Sequence, residues 1–335
     1  QQRRSERVRR DEATLADTGI RTSRSRPVFH TPDVFSPDDF EQIDVADDPD
    51  RPPFRETVEP QHCYICKVRY RRIHHFYDQL CPECAALNFA KRSELADMTG
   101  MTVLLTGGRV KIGYQAGIKL LRCGAELIVA TRFPRDAAER YAGEPDFADW
   151  GDRLEVFGLD LRHTPSVEAF CSHLLATRTR LDAIINNACQ TVRRPPAFYE
   201  HMMEHERAAL DSLPHDVLQL VGSYEDLRGS TNGIGQGSSA PASRSIAPTG
   251  DESTDSGDLA GLTRAAELSQ AALLPEDRMA TDALFPEGRL DQNLQQVDLR
   301  GRNSWRLQLD EVPTVELLET QLVNAVAPFV LKARL

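Results

Sequence analysis

Residues 101–113, MTVLLTGGRVKIG, constrain this chain more than any other stretch. The apolar run Val103, Leu104 and Leu105 suits a strand buried on both faces. It breaks into a glycine turn at Gly107 and Gly108 before an amphipathic helix opens. Strand, glycine turn and helix start together form the pattern of a phosphate loop. The turn brings backbone close to an anion, Gly113 lets the helix pack on the strand, and free N–H groups at the helix start face the negative charge. One position departs from the three-glycine form: Lys111 stands where the middle glycine belongs. Its side chain narrows the approach of backbone to a phosphate and offers charge in return.

Further elements follow at intervals that suit a parallel sheet. After a helix over 114–123 comes the strand Glu126–Thr131, closing on Arg132. Then come a helical stretch over 137–142, a strand over 154–160, a helix over 166–176 and a strand over 181–187. Strand and helix alternate with no hairpin signal. This predicts an α/β fold, a Rossmann-like parallel sheet in the order 3-2-1-4 with right-handed crossovers.

Three motifs in order carry a resemblance: Thr106-Gly107-x-x-x-Lys111-Ile112-Gly113, then Asp160-Leu161, then Asn186-Asn187-Ala188. Residues 101–195 resemble the cofactor half of the short-chain dehydrogenase/reductase family, and the resemblance resumes over 315–335. It implies an oxidoreductase that moves a hydride to or from a carbonyl or alcohol, with the substrate left open. It also implies that Thr106, Gly107, Lys111, Ile112 and Gly113 meet the cofactor and that Asp160 and Leu161 lie at its adenine. Asn187 and Ala188 would support the sheet and the ribose side, and Cys189 replaces the family's glycine. The fragment LVNAVAPF, residues 322–329, resembles the helix with the family's active-site Asn, so Asn324 takes that role by resemblance, holding a water of the proton relay.

Charge bears on cofactor choice. A carboxylate at the end of the second strand would bind the ribose 2′-OH of NAD, whereas a basic residue accommodates the 2′-phosphate of NADP. Thr131 and Arg132, with no acid beside them, predict NADP over NAD.

The family's hydride chemistry also uses a Ser, and a Tyr with a Lys four residues on that lowers its pKa. None of the seven tyrosines has that Lys: Tyr64 is followed by Val68, Tyr114 by Ile118 and Tyr224 by Arg228. The expectation is a chain that stops before its acid/base centre. The alternative is a catalytically inactive nucleotide-binding scaffold with a structural zinc module and contacts to other proteins. Lys111 and Cys189 favour the scaffold, Asp160 and Asn187 the enzyme.

The chain divides into five segments on this reading. Residues 1–58, Arg-rich and then acidic with prolines, form a flexible charged arm, since they cannot bury enough apolar area to offset ordering. Residues 59–96 form a zinc-ribbon-like module, 97–196 the NADP-binding Rossmann half, 197–312 an insertion, and 313–335 the returning helix. In the module, Cys63-x-x-Cys66 and Cys81-x-x-Cys84 are fourteen residues apart. Each pair clamps one side of a tetrahedral ion, and thiolate softness selects zinc. Four protein ligands leave no open position, so one structural zinc ion is expected.

Within the insertion, helices are predicted over 197–211 and 260–274, a disordered stretch over 222–258, and a strand or docking segment about Trp305, Leu307 and Leu309. In the last segment Leu318, Leu322, Ala325 and Phe329 share one helical face. The strand over 181–187 would lie at the sheet edge with Ile184 and Ile185, covered by a continuation, a second chain in a homo- or hetero-oligomer, or the insertion. A net charge of -11 speaks against nucleic acid, although Arg69, Arg71 and Arg72 lie among aromatics between the cysteine pairs. No apolar window reaches the length of a membrane span. Seven cysteines without a disulfide-scaffold pattern suit a reducing, cytoplasmic setting.

Overall fold

A computed structural model describes residues 2–24, 55–232, 264–278, 283–291 and 295–335. They fall into two compact units, Gln1–Ala96 with 290–295, and Asp97–Arg289 with Gln296–Leu335.

The N-terminal unit starts with helices α1 (Gln2–Ala16) and α2 (Gly19–Arg24), followed by the antiparallel hairpin β1 (Arg55–His62) and β2 (Arg69–Ile73) and by α3 (Pro82–Ser93). This corrects the flexible arm for residues 2–24, which are helical and packed on the hairpin. The register of β1 slips between Glu56 and Gln61. At that bulge the Asp11 carboxylate accepts the N–H groups of Val58 and Glu59 at 2.6 and 3.1 Å. Leu15 joins Tyr70, Ile73, Leu80 and Ala85 in a small core. Charge-assisted bonds to backbone therefore supply what apolar area does not. The remaining arm, with Phe29, Val34, Phe35, Phe40 and Phe54, lies outside the described residues.

The second unit runs β3 (Thr102–Thr106), α4 (Lys111–Arg122), β4 (Glu126–Thr131), α5 (Pro134–Ala142), α6 (Phe147–Trp150), β5 (Leu154–Gly158), α7 (Thr164–Thr177) and β6 (Ala183–Asn186). The four strands are all parallel in the order β5-β4-β3-β6, as the alternation of elements predicts. Side chains alternate between two layers because successive Cβ atoms leave a strand on opposite faces. Val103, Leu105, Leu127, Val129 and Val156 pack with Ile118, Leu121, Tyr141 and Trp150. Leu104, Ile128, Ala130 and Phe157 pack with Val167, Phe170, Leu174 and Leu331. Each buried Val, Leu, Ile or Phe among them contributes about 1.5–3 kcal/mol.

Beyond β6 come α8 (Glu200–Arg207), α9 (His215–Asn232), the short α10 (Ala265–Leu268), α11 (Thr314–Gln321) and α12 (Ala327–Arg334). Helix α9 corrects the disordered stretch at its start, residues 222–232. It runs beside β5, placing Val217, Leu220 and Val221 in one layer and Tyr224 in the other. A Cβ on Gly158 would meet the Tyr224 ring at 2.3 Å, so the glycine makes room for that anchor. Residues 233–258 lie outside the described set. The helix over 260–274 shrinks to α10 among the described residues. Segment 305–309 is not a strand: Asn303 closes a turn by accepting from Trp305 N and Arg306 N, and Trp305 is 76% exposed.

Between α11 and α12 lies a π-turn, Leu322–Val326. Pro328, at the start of α12, has no N–H to return to residue 324, which loosens the ladder there. The stripe Leu318, Ala325 and Phe329 is exposed, and the helices bury Val323, Ala327, Val330 and Leu331 instead. Strand β6 forms the sheet edge with all four residues half-buried. No described helix is long and apolar enough to cross a membrane.

Candidate functional site

The turn between β3 and α4 lies at the carboxyl ends of β3 and β6, where the order of strands reverses direction. Crevices for ligands form at such points. Gly107 has φ +72, and a Cβ there would sit 2.9 Å from Ala188 Cα. A Cβ on Gly113 would fall 2.2 Å from Gly107 O and 2.4 Å from Asn187 Nδ2. Asn187 Nδ2 donates to the carbonyls of Thr106 and Gly107, both at 3.1 Å, and Ala188 N donates to Thr106 Oγ1 at 3.1 Å. The sequence-predicted residues Thr106, Gly107, Gly113, Asn187 and Ala188 thus meet in one hydrogen-bonded knot. Asn186 Oδ1, at the end of β6, is buried without a hydrogen-bond partner among the described residues.

Lys111 is the first residue of α4 and has φ +58, a left-handed conformation that costs a side-chain-bearing residue about 1–2 kcal/mol. Ile112 follows and is exposed. The helix has no side-chain cap and no acid in its first turn, so its first N–H groups are open to an anion.

At the end of β4, Thr131 is buried and Arg132 lies on Tyr199, donating to its hydroxyl at 2.7 Å with the guanidinium 4.7 Å from the ring centroid. The nearby acid Asp136 is taken by Arg109 and Arg140, at 2.7 and 2.8 Å. These two cations outweigh burial and hold its carboxyl below the usual range.

Asp160 is buried beside Leu161, and its carboxylate is held by Arg162 through Nη2 at 2.6 Å and Nε at 3.0 Å. Burial pushes this carboxyl up, but Arg162, joined by Arg132, pulls it below its ordinary value. Arg162 also reaches Glu319 at 2.7 Å, and Glu319 meets Arg193 at 3.2 Å. Arg193 in turn grips Asp277 with two bonds of 2.6 Å. This chain of five charges fastens the insertion and α11 over the ends of β5 and β6. Sequence reasoning missed Arg162, Arg193, Asp277 and Glu319 as a set. The spacing of Asp160 and Arg162 was visible, whereas Asp277 and Glu319 lie more than a hundred residues further on.

Asn324 sits in the π-turn with its amide engaged by the backbone of Gln190, in the loop after β6. A cavity of about 320 Å³ opens beyond that loop, lined by Pro195, Leu274, Phe285, Leu307, Arg193 and Arg300 among others.

In the N-terminal unit the sulfurs of Cys63, Cys66, Cys81 and Cys84 all lie within 4.8 Å of one another, with Cys66 and Cys81 at 3.6 Å. A tetrahedral ion with metal–sulfur bonds of about 2.3 Å needs sulfurs about 3.8 Å apart. Left-handed Lys67 (φ 63) turns the chain after the first pair, and Cys81 starts α3 for the second. His62, His74 and His75 are not part of this cluster.

Residues 101–208 match the family model described as short chain dehydrogenase. An uncharacterized protein of Acanthamoeba polyphaga mimivirus, R665, is 32% identical over 174 residues, covering 50% of this chain and 36% of its own length. Retinol dehydrogenase 14 of Mus musculus is 41% identical over 103 residues, 27% of this chain and 30% of that protein. A solved structure described as the Pseudomonas aeruginosa RhlG/NADP active-site complex shares 25% identity at a TM-score of 0.26, covering 37% of this chain and 43% of that one. The chain spans about a third of the length of these two curated relatives.

Proposed function

We propose that this protein, whose residues 101–208 match the short chain dehydrogenase family model, binds NADP and takes part in hydride transfer on a carbonyl or alcohol substrate. The observation that carries this reading is the knot of Thr106, Gly107, Gly113, Asn187 and Ala188. It holds the glycine curve at Gly107 beside an open helix start, which fits a diphosphate. Bound there, the cofactor would supply the hydride chemistry. The backbone at Gly107, Ile112 and Gly113 would hold the diphosphate, with Lys111 beside it. Arg132, next to Thr131, would meet a 2′-phosphate with a guanidinium that forms no salt bridge among the described residues, although its charge is felt at Asp160. Ala188 and the orphaned Asn186 Oδ1 border the ribose side. An adenine beside Leu161 would find Asp160 already neutralised by Arg162. Asn324 acts on the site by fixing the Gln190 backbone. The cavity beyond β6, with its largely apolar wall, is where we place the substrate. The four cysteines of the N-terminal unit are assigned one structural zinc ion.

Titration with NADPH and NADH separately tests the assignment. NADPH is expected to bind more tightly, and Arg132→Ala to remove the preference. Equal affinity for the two in the parent protein would overturn the choice of NADP, and binding of neither would overturn the function.

A further inference from the structure

We propose that Lys111 is itself a ligand of the cofactor's diphosphate, its ammonium replacing the close backbone approach that a glycine would give. The inference rests on the reading of this domain as a nicotinamide-dinucleotide binder and deepens it at one residue.

Three features of the free protein count against a lysine at this position. Its backbone is left-handed, φ +58, the conformation that glycine adopts without strain. Its charge has the wrong sign for a helix start, where the aligned peptide dipoles already present positive ends. Finally, the side chain is exposed and forms no ion pair or hydrogen bond among the described residues, so no contact offsets the other two. An anion resolves the last two together, since it pairs with the ammonium and with the open N–H groups of the first turn.

The neighbouring positions sharpen the contrast. Gly107 and Gly113 remain glycine where a Cβ would collide with Ala188, Gly107 O and Asn187. Position 111 has glycine's backbone and carries a charged chain instead. A cation that merely braces the loop is already present: Arg109 is buried, with Nη1 2.7 Å from Asp136 and 3.2 Å from Met202 Sδ. Lys111 is left uncommitted by the fold. Unlike Arg132, which distinguishes the two cofactors at the ribose, Lys111 would serve NADP and NAD alike.

Lys111→Gly separates this proposal from a tolerated departure, because the two predict opposite signs. The test compares the parent, Lys111→Gly and Lys111→Gln by thermal unfolding without ligand and by calorimetric titration with NADPH. Lys111→Gly is expected to unfold at a higher temperature than the parent yet bind NADPH about tenfold or more weakly. Lys111→Gln keeps the strained backbone and should lose affinity by a similar factor. Inorganic pyrophosphate should displace NADPH from the parent protein at lower concentration than from either variant. A Lys111→Gly protein that binds NADPH as tightly as the parent, or more tightly, overturns the proposal. A parent that binds neither NADPH nor NADH overturns the cofactor reading itself, which this comparison distinguishes because the parent is measured first.

Discussion

Asn324 and Gln190 exchange two hydrogen bonds across 134 residues of chain: Gln190 N–H donates to Asn324 Oδ1 at 2.7 Å, and Asn324 Nδ2 donates to Gln190 O at 2.9 Å. One side chain thereby fastens the π-turn to the loop that leaves β6 beside the turn between β3 and α4. Asn324→Ala should cost about 1 kcal/mol in urea unfolding, the low end being apt for an exposed pair. Amide exchange at Gln190 should also accelerate. Unchanged exchange at that amide would mean that the loop is held by something else.

Arg162 neutralises Asp160 and Glu319 together. Replacing it by Met removes the cation that the two buried carboxylates share, leaving Glu319 with Arg193 and Asp160 without its ion pair, a loss of about 3–5 kcal/mol by the measure of other broken buried pairs. Denaturant unfolding would show it. The double variant Arg162→Met with Asp160→Asn should recover part of the loss, and a single variant within about 1 kcal/mol of the parent would show that the network is not a stabilising contact.

Glu206 gives the second unit a pH dependence. Burial raises its carboxyl from 4.5 to about 7, with the nearby Asp136 adding to the rise, while the backbone N–H groups of Asp136 and Arg135 oppose it. Between those values the folded protein holds a proton that the unfolded chain has released. Stability should therefore fall as pH rises from 4.5 to about 7 and stay level above it, by on the order of 3 kcal/mol. Glu206→Gln keeps an acceptor for both N–H groups and should flatten that part of the curve. Parallel curves for variant and parent would remove Glu206 as the cause.

Metal removal should act on the N-terminal unit first. Its core is small, Leu15, Tyr70, Ile73, Leu80 and Ala85 with the cysteines, so a zinc bound by four thiolates would contribute much of its folding free energy. Elemental analysis of protein purified without chelator should find about one zinc per chain. Stripping it should abolish hydrogen-exchange protection of the hairpin amides. A zinc-free protein with a protected hairpin would end the assignment.

The sheet was readable because its signals are local. Apolar runs at Val103–Leu105 and Leu127–Ala130 alternate with helical periods, and Gly107 and Gly113 occur where one backbone curve requires them. The cysteine pairs were readable for the same reason. The helix α1 was not, because its anchor is Asp11 on the amides of residues 58 and 59, a pairing that no window of sequence contains. Helix α9 continues past Gly222, where the composition turns polar, because Tyr224 packs over Gly158. The second partner of Arg162 is Glu319, 157 residues further along the chain.

The bond from Ala188 N to Thr106 Oγ1 joins residues 82 apart, and β3 pairs with β6 over an interval of 80. Neither half of the knot can be completed while that long loop of chain is open. Closing it comes at an entropic cost that local helix formation does not carry. A nucleotide bridging the two halves of the knot would therefore act as a latch on β6, slowing its departure during unfolding.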